Sequence, residues 1–100
     1  MNFLVFDRVW SILLITYHIF ILGNIVLLAY VMINTVPDKI EMVLENVKEI
    51  NGVEEVYLIY GVYDIIAEIK AENNADLWAI VIKIRKMQHI LSTITLQVVS

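Results

Sequence analysis

The chain has 100 residues, enough for about one domain, and 60% of them are apolar. It contains no cysteine, which excludes disulfides, thiolate metal sites and a thiol nucleophile. Its formal charge is −4 and its few basic residues do not form a patch, so direct binding to nucleic acid is not expected.

Residues 1–25 are a hydrophobic N-terminal segment that differs from the rest of the chain. From Val9 to Pro37 the sequence has no formal charge if His18 is counted as neutral, and this run is long enough to cross a bilayer. Three interpretations stay open for the segment. It is a membrane anchor, a helix packed on an oligomer, or an upstream stretch wrongly included in the reading frame.

Residues 26–100 have the pattern of a compact folded domain. The stretch 27–36 is rich in β-formers and apolar on both faces, which predicts the first strand. A helix follows, with Pro37 in its first turn and Gly52 at its C′ position. Its apolar face is formed by Ile40, Val43, Leu44, Val47 and Ile50.

The second half of this domain predicts two strands, a helix and a last strand. Residues 53–60 and 63–71 alternate like strands, and 90–99 is a β-branched strand. Asn73 or Asn74 can cap the helix between them. The apolar stripe of that helix is Leu77, Ile80, Val81, Ile84 and Met87.

The predicted order is β-α-β-β-α-β, an α+β ferredoxin-like arrangement with both helices on one face of a four-stranded antiparallel sheet. The other face is not polar, since Tyr57, Ile59 and Ile66 share it. A large apolar sheet face that is exposed to solvent is rare in monomers, so we predict that two sheets pack face to face across a two-fold axis. Trp78 and Ile82 flank the stripe of the second helix. They indicate either a wide core stripe or a further subunit contact.

Residues 27–99 resemble the RAM domain, the effector-binding module of the leucine-responsive/asparagine-regulatory (Lrp/AsnC) transcription factors. The matching features are the INGVEEVYLIYGVYDI block, the helix ending IRKM, and the terminal STITLQVV strand. Members of that family carry a helix-turn-helix domain before this module. Residues 1–25 contain one arginine and cannot form one, so the chain looks like a stand-alone RAM protein.

The resemblance implies a cytoplasmic, non-enzymatic module that dimerises through its sheets and often assembles to an octamer. Its ligand would be a free amino acid or related small metabolite, bound where dimers meet. By analogy with the family, the ligand-binding residues would be Gly61, Tyr63, Asp64, Ser92, Thr93 and Thr95. Transcription would be modulated through co-assembly with full-length Lrp/AsnC regulators. The alternative is a membrane-tethered structural or interaction subunit that binds no ligand.

The chemistry of these residues suits a free amino acid. Asp64 can pair with an ammonium, Ser92 or Thr93 can donate to a carboxylate, and Gly61 lets backbone approach the ligand. Plainer explanations exist. Gly61 can serve a tight hairpin, Asp64 can bond its own turn, and the threonines can reflect strand propensity.

No enzyme, metal or cofactor chemistry is predicted. His18 lies in the hydrophobic segment, and His89 has no evident catalytic partner. Glu41, Glu45 and Glu49 recur at helical spacing and predict a solvated face rather than the converging oxygens of a Ca²⁺ or Mg²⁺ site. The sequence also lacks a phosphate-cradling glycine loop.

Overall fold

A computed structural model describes residues 26–99; the predictions for residues 1–25 lie outside this range. The predicted β-α-β-β-α-β order is confirmed, and a short 3₁₀ turn at Pro37–Lys39 leads into the first helix. The strands are β1 (Leu27–Thr35), β2 (Val53–Leu58), β3 (Ile65–Ala71) and β4 (Ile90–Gln97), and the helices are α1 (Ile40–Lys48) and α2 (Asn74–Arg85).

The four strands form one sheet in the order β2-β3-β1-β4, and every neighbouring pair is antiparallel. Because β1 and β2 are both antiparallel to β3, they run parallel to each other. In the same way, β3 and β4 are both antiparallel to β1 and therefore run parallel to each other. Each of these parallel pairs is joined through a helix, as the ferredoxin-like arrangement requires. The two helices therefore run antiparallel to each other on the same face of the sheet.

The hydrophobic core lies between this sheet and the two helices, as the apolar spacing predicts. One face of each central strand points into it, and the interior side chains of α1 and α2 close it from above. Branched aliphatic side chains suit this layer because they pack well on a pleated surface. The largest fully buried side chains are those of Ile33, Ile65, Ile69, Leu77, Ile84, Val31, Val43, Val47 and Val81.

The other side of the sheet, turned away from α1 and α2, is called the open face below. Paired residues in an antiparallel sheet share a face. The register therefore places Tyr57 opposite Ile66, and Met32 opposite Ile94, on the open face. Tyr57 and Ile94 are 42% and 44% exposed. Both residues lie on edge strands. On the same face, Leu28 of β1 and Glu68 of β3, the two central strands, are buried.

The two helix-boundary predictions have different outcomes. Asn73 is the N-cap of α2, and its side-chain oxygen accepts from Asp76 N at 2.8 Å. Gly52 was predicted at the C′ position of the first helix, but α1 ends at Lys48 with Glu49 as its C-cap. Gly52 instead forms the turn before β2, where its φ of +98° lies in the region that favours glycine.

The connection between β2 and β3 is longer than predicted. The sequence predicted strands that meet at residues 61–62, but β2 ends at Leu58 and β3 begins at Ile65. Tyr60 was predicted to end the first of these strands, yet its side chain projects into solvent. Alternation alone therefore overestimated the length of both strands.

Among residues 26–99, no helix has the length and hydropathy needed to span a bilayer.

Candidate functional site

The β2–β3 loop contains Gly61 and Tyr63, two of the predicted ligand-binding residues. Gly61 is exposed with a φ of +150°, and a Cβ added there would meet no heavy atom within 4 Å. Its need for glycine is therefore conformational rather than steric. Tyr63 is half-buried, whereas its neighbour Val62 is largely exposed. The loop thus presents apolar side chains around an open stretch of backbone.

Asp64 connects this loop to the end of β1 through hydrogen bonds. Its Oδ2 atom accepts a hydrogen bond from Thr35 N at 2.9 Å, and its own N–H donates to Ile33 O at 3.0 Å. Its carbonyl accepts from Ile59 N at 2.9 Å. The carboxylate therefore bonds to a strand 29 residues away in sequence, not to the loop's own turn.

Ser92 lies on the other side of the same end of β1. It is the register partner of Asn34, and Asn34 Nδ2 donates to Ser92 Oγ at 3.4 Å. Because β1 is the strand between β3 and β4, Asp64 and Ser92 flank its last residues from opposite sides. The fold thus brings together two predicted site residues that are separated by 28 positions in the sequence.

The register separates Thr93 and Thr95 from Ser92. Thr93 pairs with Ile33 and Thr95 pairs with Val31, both of which point into the core beneath the helices. Both threonines therefore lie on the helix-covered face. The Oγ1 atom of Thr95 is buried and has no hydrogen-bond partner within residues 26–99. The side chains of the six predicted residues thus do not all converge on one site within the chain.

Two residues at the end of β1, Asn34 and Thr35, belong to the site but were not predicted. Asn34 contributes a side-chain amide, and Thr35 contributes the backbone N–H that holds Asp64. Their signal in the sequence is the change from apolar to polar residues just before Pro37. That change predicts the end of a strand, but only the register shows which side chains meet there.

The arrangement supplies groups for both ends of an amino acid. The Asp64 carboxylate has a second oxygen besides the one bound to Thr35 N, and it can pair with an ammonium. The Ser92 hydroxyl and the Asn34 amide can donate to a carboxylate. Within residues 26–99 no cluster of three or more His, Asp or Glu side chains is placed to hold a metal ion.

The open face carries a second polar arrangement, which extends from the edge strand β2 across β3 to β1. Glu55 and Glu68 are register partners on β2 and β3. Tyr57 OH donates to Glu55 Oε2 at 2.6 Å, and Tyr30 OH donates to Glu68 Oε2 at 3.3 Å. Each carboxylate therefore has a tyrosine donor, which reduces the cost of placing two like charges side by side.

Comparison with known proteins identifies this fold. A family model described as the Lrp/AsnC ligand binding domain matches residues 28–100. No curated protein matches the chain at a significant level.

Three solved structures illustrate the similarity. The hypothetical protein PHS023 from Pyrococcus horikoshii is 31% identical, with a TM-score of 0.69, and the match covers 76% of this chain and 92% of that one. Escherichia coli AsnC is 26% identical, with a TM-score of 0.70, and the match covers 79% of this chain and 54% of AsnC.

The third structure shows the fold alone. It is the complex of the transcriptional regulator NMB0573 from Neisseria meningitidis with L-Met, 13% identical with a TM-score of 0.67. That match covers 74% of this chain and 50% of the regulator. The family match, the fold and the more similar structures agree: the chain belongs to the Lrp/AsnC ligand-binding domain family, whose members are regulatory modules.

Proposed function

We propose that the chain is an amino-acid-sensing regulatory module of the Lrp/AsnC type. It binds a free amino acid or a related small metabolite where dimers meet, without catalysing a reaction. The observation that carries the proposal is the position of Asp64 and Ser92 on either side of the end of β1. The carboxylate belongs to a loop whose glycine leaves its backbone open, and the hydroxyl lies across β1 from that carboxylate.

The ligand site would be completed by other copies of the chain. Asp64 is the only charged side chain among the six proposed ligand-binding residues, so the ligand's ammonium has a partner. The ligand's carboxylate is left to hydroxyl, amide and backbone N–H donors. The largely exposed side chains of Tyr60 and Val62 would contribute an apolar wall once a second dimer covers the loop.

Dimerisation in this proposal uses the open face. Tyr57, Ile94 and Leu96 are exposed on it, and a second sheet would remove them from water. Burying apolar surface contributes about 25 cal/mol per Å², which must exceed the cost of association. A ligand bound between dimers shifts the assembly equilibrium, because it adds contacts only when dimers are juxtaposed.

The regulatory output would come from co-assembly with full-length family members. AsnC from E. coli is about twice as long as the matched region, so this chain corresponds to one part of such a regulator. Mixed assemblies would place this module beside those of full-length regulators around shared ligand sites.

Thermal unfolding measured against each of the twenty amino acids tests ligand binding. A ligand present at 100 times its Kd should raise the unfolding free energy by about 2.7 kcal/mol. L-Met is a natural first probe because it is the ligand in the N. meningitidis complex. If no amino acid shifts the melting temperature while the dimer persists, the alternative of an interaction subunit without a ligand is favoured.

Asp64→Asn provides the matched variant, since its amide oxygen can still accept from Thr35 N while the charge is lost. It should abolish the ligand-induced shift. Asp38→Asn removes an exposed charge at the start of the helical region and should leave the shift unchanged. Equal shifts in wild type and Asp64→Asn would contradict the proposed role of Asp64.

A further inference from the structure

The outward face of α2 is apolar where a solvated helix would be polar. Trp78 and Ile82 are 41% and 44% exposed, and the exposed residues Ala75 and Ala79 share their face. Surface helices of globular proteins normally carry charged or polar side chains on this side. The small alanines would also allow close approach of another helix beside the two large side chains.

The end of the same helix is basic. Arg85 and Lys86 are exposed, and the Arg85 guanidinium lies over the Trp78 ring, 5.7 Å from its centroid. This cation–π contact holds the arginine beside the apolar residues. The outward face of α2 is therefore an apolar strip that ends in positive charge.

The outward face of α1 has the complementary character. Glu41, Glu45 and Glu49 are exposed at intervals of four residues, beside Met42, which is 49% exposed. Lys48 Nζ lies 3.4 Å from Glu45 Oε1, which leaves this face with a net negative charge. An acidic strip with one large apolar side chain thus lies next to the basic and apolar strip of α2.

We propose that a second copy of the chain docks on this helical layer, with α2 of each copy against α1 of the other. A two-fold axis parallel to the helices and between two such layers produces this pairing. Since α1 and α2 run antiparallel within a chain, each α2 would also run antiparallel to the α1 that it meets. The basic end of α2 would then lie near Glu41, at the acidic start of α1.

This contact is distinct from the open-face dimer, because it uses the opposite side of the sheet. A chain with two different two-fold contacts builds either a closed ring of dimers or an open filament. Assemblies larger than a dimer need both contacts, so their formation rests on the open-face dimer of the proposed function. The helical contact itself needs no ligand.

Reciprocal charge reversal in the full chain tests the contact. Arg85→Glu with Lys86→Glu gives one variant, and Glu41→Lys with Glu45→Lys gives the other. Each alone places like charges across the contact, so each should associate beyond the dimer about tenfold or more weakly than wild type. An equimolar mixture restores opposite charges in both helix pairs and should recover the larger assembly.

Sedimentation velocity and light scattering provide the readout, with roughly 1 M salt as a further condition. There the Debye length is about 3 Å, and the wild-type contact should weaken. Glu72→Lys changes an exposed charge in the β3–α2 connection and serves as the control. Ile82→Ser should also weaken the contact, by removing apolar surface without changing charge.

The outcomes separate this contact from the open-face dimer. The charge variants should remain folded dimers held by the open face. Loss of the dimer itself in a folded variant would mean that the helical layer holds the dimer, and it would contradict the open-face dimer of the proposed function instead. The proposal is overturned if wild type forms nothing larger than a dimer at any concentration, if the single-sign variants assemble like wild type, or if mixing them restores nothing. Recovery of mass only with a different protein would assign the layer to another partner and also overturn it.

Discussion

At the scale of single residues, Asp64 combines a structural hydrogen bond with a proposed ligand-binding charge. Thr35 is 2% exposed, and its N–H donates to the Asp64 carboxylate. Asp64→Ala would leave that buried donor unpaired, which costs about 1–3 kcal/mol, or roughly 5–15 °C in Tm. Asp64→Asn keeps an acceptor and should lower Tm much less. Differential scanning calorimetry without ligand checks this, and equal losses in both variants would show that charge, not the acceptor, stabilises the loop.

Gly52 and Gly61, the two loop glycines with positive φ, lead to a second prediction. Alanine at either position costs about 1–2 kcal/mol of backbone strain. At Gly52 the new Cβ would also clash with Ile80 Cδ1, whereas at Gly61 it would meet open space. Gly52→Ala should therefore be the more destabilising, by roughly 1–3 kcal/mol. Denaturant unfolding measures both.

The source of the extra cost at Gly52 can be isolated with Ile80→Val, which removes the Cδ1 atom. Combined with Gly52→Ala, it should return part of the stability that the glycine substitution alone loses, giving a coupling energy in a double-mutant cycle. Additive effects of the two substitutions would mean that backbone strain alone accounts for the loss.

The residue scale also shows the limit of reasoning from sequence. Family resemblance indicated Ser92, Thr93 and Thr95 together, and residue types alone cannot tell them apart. Strand alternation requires Ser92 and Thr93 to face opposite sides. Which of them faces the helices depends on pairing with β1, a register that adjacent sequence does not encode. The hydrogen bond of Asp64 could not be predicted from adjacent residues either, because its partner Thr35 is distant in the chain.

At the scale of elements, the helices were the more predictable part because their signals are local. The periodic apolar residues, the Asn73 cap and the stripe through Leu77, Val81 and Ile84 can all be read within one segment. Strand ends were less predictable. Tyr60 is a good β-former, but a strand residue needs a neighbouring strand as well as propensity.

An irregularity in β4 had no signal in the sequence. Asn34 pairs with Ser92, but Thr35 pairs with Ile90, so Leu91 is an additional residue on that strand. Leu91 is 67% exposed as a result. A bulge of this kind changes which residues share a face, and it lies beside the candidate site.

The cap of α2 gives a prediction at this scale. Asn73 Oδ1 accepts from Asp76 N, so Asn73→Ala should cost about 1 kcal/mol of unfolding free energy. Asn74→Ala is the control: Asn74 lies inside the helix, and among residues 26–99 the one hydrogen bond to its side chain is long, 3.4 Å from Gln97 Nε2. Urea unfolding of both variants measures the difference, and equal stabilities would exclude a capping contribution.

At the scale of the whole molecule, the sheet has a different surface on each side. On one side, α1 and α2 cover the core and expose complementary acidic and basic strips. On the other, Tyr57 and Ile94 are exposed at the edges, the Tyr57–Glu55 pair lies on the edge strand β2, and the Tyr30–Glu68 pair lies on the central strands. Composition predicted an excess of apolar surface, but not its distribution, because that depends on which strands are central.

The open face leads to the last prediction. Ile94 is exposed on β4 and contributes nothing to the core beneath the helices, so Ile94→Asp should leave the fold intact. In a face-to-face dimer the two-fold axis repeats the change, and losing about 1.5 kcal/mol of burial per copy raises the dimer Kd roughly 100-fold. Analytical ultracentrifugation over a range of concentrations measures this. Val99→Asp, beyond the end of β4 and 91% exposed, provides the control. A wild-type Kd in Ile94→Asp would place the dimer contact elsewhere, and with it the site that dimers are proposed to form.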